Sequence, residues 1–240
     1  MWRTATLVAT RDETPDARTL VLDVPGWPGH LGGQHVDVRL TADNGYQATR
    51  SYSLAAPADH DRVEVTVQRV SDGEVSPYLT DGLNLGDAVE VRGPAGGWFV
   101  WRPSDPGGVL LVAGGSGIVP LMAMIRARRT AGSAIPFRLV YSVRSPQERY
   151  YAAELDQLGD EAAGPKVTYV YTRSAPADTN RPAARIGAAD LSPPGWAPDG
   201  EETCFVCGPT GFVEAVSELL VSLGYDPRRI KTERFGPSGQ

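Results

Sequence analysis

The feature that most constrains this chain is a change of hydrophobic period near residue 100. Before it, apolar and polar residues alternate. Arg62-Val63-Glu64-Val65-Thr66-Val67-Gln68 puts three valines on one face of an extended segment, and Thr19–Val24, Gln34–Leu40 and Ala88–Val91 show the same period of two. Side chains along a strand alternate between faces, so such a pattern buries one face of a sheet. Pro25-Gly26, Gly32-Gly33, Asn44-Gly45 and Gly93-Pro94 punctuate the segment as turns. Short strands at this spacing predict an antiparallel Greek-key barrel, with one short helix near Ser76–Asp81.

After it, the apolar runs become continuous. Val109-Leu110-Leu111-Val112-Ala113 has the character of a strand buried on both faces. Further strands are expected at Phe137–Tyr141, Lys166–Thr172, Cys204–Cys207 and Ile230–Phe235, with a helix around Gln147–Leu158. Phe212, Val213, Val216, Leu219, Leu220 and Leu223 fall on one face of a second helix. Alternating strand and helix predicts a parallel-sheet α/β domain. The boundary falls in the Pro- and Gly-rich stretch Arg102–Gly108, giving domains 1–102 and 103–240. Ala175–Gly200 is Pro-rich and reads as a surface loop, and disorder is expected near the C-terminal tail.

A chain of 240 residues has room for two such domains. Its net charge of -6 lacks the basic excess of a nucleic-acid binder. No apolar run approaches the roughly 20 residues of a membrane span, and Met1-Trp2-Arg3-Thr4 lacks the apolar core of a signal peptide. A cytoplasmic location is the expectation. The two cysteines, Cys204 and Cys207, are spaced C-x-x-C but lie in a predicted buried strand, where residues three apart point to opposite faces. No metal site or disulfide is expected from them. An iron–sulfur cluster normally takes four cysteines, so this chain alone carries no ordinary one.

Three groups of residues suggest chemistry. Gly114-Gly115-Ser116-Gly117-Ile118-Val119-Pro120 lies between an apolar strand and a helix, where backbone N–H groups can face a pyrophosphate. Pro120 stands where the usual dinucleotide fingerprint has its last glycine, and a proline in a helix's first turn gives up only an N–H that lacks a partner anyway. A plain strand-to-helix turn is the competing reading. Arg144 and Arg173 follow the second and third strands of this half, where a basic residue suits a 2′-phosphate; exposed loop arginines are the alternative. In the first half, a strand puts Arg50 and Tyr52 of Arg50-Ser51-Tyr52-Ser53 on one face, a guanidinium fork for phosphate beside a flat ring for stacking. Gly73 to Ser76 leads into the short helix and can offer N–H groups to an anion.

Together, Arg50-Ser51-Tyr52-Ser53, Gly73-Glu74-Val75-Ser76, Gly114–Pro120 and Cys207-Gly208-Pro209 resemble, in order, the motifs of the ferredoxin–NADP reductase superfamily. The resemblance covers nearly the whole chain. It implies an FAD-binding barrel followed by a nicotinamide-binding domain. By the resemblance, Arg50 binds the FAD pyrophosphate with Gly73, Val75 and Ser76, alongside Ser51. Tyr52 stacks on the isoalloxazine, and Ser53 hydrogen-bonds flavin N5. Gln68, Arg69 and Val70 edge the flavin through backbone groups. Cys207 lies near nicotinamide C4, with Gly208 and Pro209 in the same pocket.

Glu233-Arg234-Phe235-Gly236-Pro237 resembles the ending of flavohaemoglobin reductase domains. This implies that Glu233 relays a proton near Ser53 and that Phe235 packs beside the flavin; ordinary strand packing is the other reading of Phe235. The implied activity is transfer of hydride from NADPH (or NADH) to FAD, with NAD(P)H bound across the cleft between the halves. Electrons then pass to a separate acceptor such as a ferredoxin, a haem protein or another redox protein. The chain shows neither the fused iron–sulfur domain nor the haem domain of some relatives. The competing expectations are a flavin reductase that releases reduced free flavin, and a regulatory subunit that binds a dinucleotide without turnover.

Overall fold

The computed structural model describes residues 1–161, 163–177, 179–193 and 201–236. They form two compact units, one of Met1–Arg102 with Met122–Ala127, the other of Pro103–Leu121 with Arg128 onward.

The first unit is built on six strands: β1 (Trp2–Thr14), β2 (Ala17–Asp23), β3 (His35–Thr41), β4 (Gln47–Ser53), β5 (Arg62–Gln68) and β6 (Ala88–Ala95). They pair antiparallel in the order β4-β3-β6-β1-β2-β5. Just past β4, Leu54 bridges antiparallel to Val65 of β5, and the Ala55 N–H donates to the Glu64 carbonyl at 2.8 Å. That seam brings the two outer strands together and closes the barrel. With β4 and β5 joined, the run β6-β3-β4-β5 is a Greek key. Val63, Val65 and Val67 are fully buried, as their alternation requires. Burying each contributes about 1.5–3 kcal/mol.

One feature of this unit differs from the pattern: β1, which no alternation marks, lies between β6 and β2. Its alternation is weak because only Ala5 and Leu7 are buried, and a register shift between Leu7 and Ala9 breaks the period. The short helix stands where it is expected, over 76–82, and its Leu79 enters the barrel core.

The second unit carries β7 (Val109–Gly114), β8 (Phe137–Val143), β9 (Lys166–Tyr171), β10 (Thr203–Pro209) and β11 (Ile230–Phe235), all parallel, in the order β11-β10-β7-β8-β9. Every residue of β7 and β8 is buried; β7 is an unbroken apolar run, whereas β8 also buries Arg138 and Ser142. The helices are α1 (Ile118–Thr130), α2 (Ala152–Asp160), α3 (Ala188–Leu191) and α4 (Thr210–Ser222). Val213, Val216 and Leu220 of α4 are buried in the core, with Phe212, Leu219 and Leu223 packed against it.

α2 starts at Ala152, later than the expected Gln147. Tyr150 and Tyr151 are both buried, and Tyr151 takes a left-handed backbone conformation (φ 55°) that interrupts the helix. The expected loop Ala175–Gly200 contains α3, whose Leu191 is fully buried. Residues 178 and 194–200 of that stretch, and Pro237 with the rest of the C-terminal tail, lie outside the described residues.

Candidate functional site

In the first unit, β4 sets the geometry. Tyr52 and Arg50 stand opposite Val36 and Val38 of β3, on the core-facing side. Tyr52 packs against the barrel core, and burial pushes its hydroxyl up to about 12 despite the nearby Arg50 guanidinium. It is therefore neutral at physiological pH, a flat uncharged surface. Arg50 is half-exposed. One of its nitrogens donates to the Thr49 carbonyl at 2.8 Å, and another lies 3.7 Å from the Glu74 carboxylate. Strand and loop are thus brought together, with Arg50 beside the turn that carries Gly73, Val75 and Ser76.

That turn is closed by its own hydrogen bonds. The Gly73 N–H donates to the Val70 carbonyl (2.9 Å), and the Val70 N–H donates to Ser76 Oγ (3.0 Å). Val75 is buried in the barrel core. Gln68 and Val70 are exposed at the end of β5. The Arg69 N–H donates to the Asp16 carbonyl at 2.7 Å, and its guanidinium donates to Asp81 at 2.7 Å. The N–H groups of Arg69 and Val70 are thus already engaged within the protein.

Ser51 faces the other way from Arg50. Its hydroxyl donates to Asp37 at 2.7 Å, and Asp37 also accepts from Arg92. That hydrogen bond, then the arginine, hold the Asp37 carboxyl below the usual carboxylate range. Ser53, half-buried, stands opposite His35. Two neighbours that sequence reasoning did not single out are Glu74 as a partner of Arg50, and Tyr46, whose hydroxyl donates to both Glu74 oxygens at 3.2 Å. The only local signal for Tyr46 is the Asn44-Gly45 turn beside it. A cationic fork and a neutral aromatic face on one strand suit a phosphate-bearing flavin.

In the second unit the strand order reverses between β7 and β10. Open α/β sheets bind ligands at the C-terminal strand ends flanking such a switch point. The turn Gly114–Gly117 leaves the end of β7 there, and Cys207-Gly208-Pro209 ends β10 beside it. Both segments depend on glycine. A Cβ on Gly117 would lie 2.1 Å from the Cys207 carbonyl oxygen, and one on Gly208 would lie 2.7 Å from the Phe212 ring and 3.2 Å from the Gly114 Cα. Gly115 has φ +55° with open space where a Cβ would project. Two of these glycines therefore serve close packing of the loops, and Gly115 serves the turn. Ser116 is half-buried, and Pro120 sits in the first turn of α1.

β11 runs alongside β10, pairing Cys207 with Glu233 and Pro209 with Phe235. Cys207 is a buried free thiol; burial, with Glu233 acting in the same sense, holds it protonated well above the ordinary range. Phe235 is partly exposed at the strand end. Arg144 and Arg173 follow the neighbouring strands β8 and β9. They are held side by side, the Arg173 N–H donating to the Arg144 carbonyl at 2.9 Å, and both are exposed. Arg144 has Glu148 at 3.9 Å. The catalytic candidates divide between the units, with Ser53 in the first and Cys207 and Glu233 in the second.

A closed antiparallel barrel with an arginine and an aromatic ring on one strand face, together with a parallel sheet with a glycine turn at its switch point, defines a two-unit, dinucleotide-handling class. The family model described as an oxidoreductase FAD-binding domain matches residues 4–100, and that described as an oxidoreductase NAD-binding domain matches residues 111–218. The chain belongs to the ferredoxin–NADP reductase superfamily of FAD-binding oxidoreductases.

The ferredoxin–NAD(P)+ reductase component of naphthalene 1,2-dioxygenase/salicylate 5-hydroxylase systems from Ralstonia is 29% identical over 98% of this chain and 69% of its own length. The reductase subunit of an aromatic O-demethylase from Amycolatopsis is 31% identical over 98% and 70%. The flavohaem-like FAD/NAD-binding domain of nitric oxide dioxygenase from Vibrio cholerae O1 biovar El Tor superposes with a TM-score of 0.84 at 26% identity, covering 98% of this chain and 99% of that one. The chain spans about six- to seven-tenths of the length of the curated relatives it matches first. Among the described residues no helix is long and apolar enough to cross a membrane.

Proposed function

We propose that this chain is an FAD-dependent NAD(P)H oxidoreductase that passes electrons to a separate redox partner. Residues 1–102 form the FAD-binding domain and 103–240 the nicotinamide-binding domain. The observation that carries the reading is the pairing, in one chain, of the Arg50–Tyr52 face with a glycine turn at a sheet switch point. The relatives from Ralstonia and Amycolatopsis are reductase components by name, which supports a partner of the ferredoxin or oxygenase kind.

Bound FAD supplies the hydride-accepting and electron-releasing chemistry; the protein supplies position and electrostatics. Arg50 pairs with the pyrophosphate. It sheds Glu74 at little cost, because a half-exposed pair at 3.7 Å is worth about 0–1 kcal/mol. Neutral Tyr52 lays its ring along the flavin, and Ser53 offers its hydroxyl at N5. Gly73, Ser76 and the Gln68–Val70 segment border the cofactor. The N–H groups of Gly114–Gly117 at the start of α1 hold the dinucleotide phosphates of NAD(P)H. Cys207, Gly208 and Pro209 border the nicotinamide. Cys207 stays a protonated thiol and so adds no negative charge there. Glu233 is the proton-relay candidate on β11, and Phe235 stands at the end of the same strand. Arg144 and Arg173 grip a 2′-phosphate. A cytoplasmic setting belongs to the same reading. Recovery of the native protein in a non-cytoplasmic fraction would overturn that placement.

Anaerobic titration of the purified protein with NADPH and with NADH tests the activity, and flavin extraction identifies the cofactor. The expected result is a yellow FAD protein that bleaches stoichiometrically. A protein that stays colourless with FAD, or stays yellow on titration, is a dinucleotide-binding subunit instead. Weak FAD retention with fast turnover of added flavin marks a free-flavin reductase.

A further inference from the structure

Ser53 is the last residue of β4, so its position depends on what holds the three residues that follow. Their backbone groups are taken up one after another. The Leu54 N–H donates to the Gln34 carbonyl at 2.9 Å, and the Ala55 N–H to the Glu64 carbonyl at 2.8 Å. Side chains meet the carbonyls of Ala55 and Ala56. Arg126 Nη1 donates to the Ala55 carbonyl at 2.9 Å, and His30 Nε2 lies 2.8 Å from the Ala56 carbonyl. Trp27 Nε1 donates to His30 Nδ1 at 2.9 Å. An indole nitrogen can only donate, so the His30 proton is on Nε2 and that nitrogen donates to Ala56.

Arg126 differs from the other three holders in its origin. It stands on α1, the helix that follows Gly114–Gly117, yet Met122–Ala127 belong to the first compact unit. Backbone packing seats that stretch, since a Cβ on Gly32 would lie 2.9 Å from the Met124 backbone nitrogen. The Arg126 side chain is largely buried, and its guanidinium also lies 3.4 Å from the carboxylate of Glu64, the residue whose carbonyl holds Ala55. Ala55 is fully buried, and a buried carbonyl needs a donor. A planar charged fork supplies that donor and fixes its direction as well. We propose that Arg126 is a positioning residue for hydride transfer, holding the end of β4 so that the Ser53 hydroxyl keeps its place at flavin N5. The proposal rests on the flavin reading given above, and it gives Arg126 no contact with either ligand. A misplacement of about 1 Å caused by a change away from the chemistry can cost on the order of 10²-fold in rate. Loss of this one holder is therefore felt in the rate before it is felt in binding.

The test has one readout without flavin and one with it. R126M keeps the apolar stem and removes the donors. In the full chain freed of flavin, amide hydrogen exchange at Leu54 and Ala55 is expected to be faster in R126M than in wild type, with R126K, which keeps a donor, in between. In the FAD-loaded protein, stopped-flow absorbance at saturating NAD(P)H is expected to show flavin reduction slowed about fivefold in R126M and partly recovered in R126K. FAD affinity and KM for NAD(P)H stay near wild type. The loss disappears where Ser53 is already Ala, because Arg126 acts through that hydroxyl. Arg129, an exposed arginine on the same helix, is the control, and R129A changes neither exchange nor rate. Equal slowing by R126M in the wild-type and S53A backgrounds, an unchanged reduction rate, or unchanged exchange at Leu54 and Ala55 overturns the positioning role while flavin binding stands. Wild-type chain that takes up no flavin overturns the flavin reading, and the proposal with it. Thermal unfolding reads the fold of each variant. If R126M does not fold, R126K carries the same comparison, with a smaller loss that also disappears in S53A; a loss that persists there overturns the proposal.

Discussion

Gly117 lies against the carbonyl oxygen of Cys207 so closely that a Cβ there would sit 2.1 Å from it. The backbone of the turn after β7 is thereby fixed to the end of β10, and the two sides of the switch point move as one piece. Gly117→Ala must push them apart. Overpacking of this kind costs about 1–3 kcal/mol, so thermal unfolding should show a clear drop, with weaker NAD(P)H binding. Gly211 in the first turn of α4 is the control, since a Cβ there meets nothing within 4 Å; G211A should unfold no earlier than wild type.

Arg144 and Arg173 are tied side by side through their backbones. Replacing either with Ala should raise KM for NADPH about tenfold, the scale of a hydrogen bond to a charged group of about 1.5–3 kcal/mol, and leave KM for NADH unchanged. Equal effects on the two substrates would remove both arginines from 2′-phosphate selection.

Ser53→Ala should slow flavin reduction about tenfold or more, corresponding to about 1.4 kcal/mol, with FAD retained. Stopped-flow absorbance at saturating NADPH reads the rate. An unchanged rate takes Ser53 out of the mechanism.

Cys207 is buried and its thiol is held protonated. An ordinary cysteine, with a pKa of about 8.5, becomes markedly more reactive between pH 7 and 9. Alkylation of the native protein by iodoacetamide should show no such rise at Cys207, and unfolding should expose it at once. Mass spectrometry of the labelled peptide decides; a labelling rate climbing through pH 8.5 in the native protein would show an accessible thiolate.

Asp37 has a carboxyl pKa below its unfolded value because Ser51 and Arg92 donate to it. A depressed folded-state pKa contributes stability above the unfolded value of about 3.9, and that stability is lost as pH falls through the folded value. D37N should therefore be less stable than wild type at pH 7, by up to about 1 kcal/mol given the half-exposed Arg92. The two proteins should converge near pH 2. Denaturant melts at both pH values check the sign, and a difference that grows on acidification would contradict it.

The elements that could be read from the sequence are those whose burial follows one unbroken period. Val63, Val65 and Val67 mark β5, the apolar run of β7 marks a strand covered on both faces, and Val213, Val216 and Leu220 mark α4. β1 was hidden because its register shifts at Leu7/Ala9, so its two halves do not share one alternation. The start of α2 lies beyond the expected Gln147 because the left-handed Tyr151 goes with tertiary burial of two tyrosines, which propensity does not encode. Within the candidate site, Arg50 and Tyr52 share a face by strand geometry alone. That Glu74 meets Arg50, and that Ser51 turns to Asp37, depends on how distant segments are brought together in the barrel and on cross-strand register; local sequence carries neither.

The bridge between Leu54 and Val65 that shuts the barrel begins at the very next residue after Ser53. One short run of chain therefore carries the proposed ligand contacts and fastens the cylinder. An intermediate with that clasp undone would have two raw strand margins and a disassembled binding face together. Substitutions that slacken it would reduce cofactor loading and invite edge-to-edge aggregation in equal measure, and added cofactor would act as a folding aid for this half of the chain.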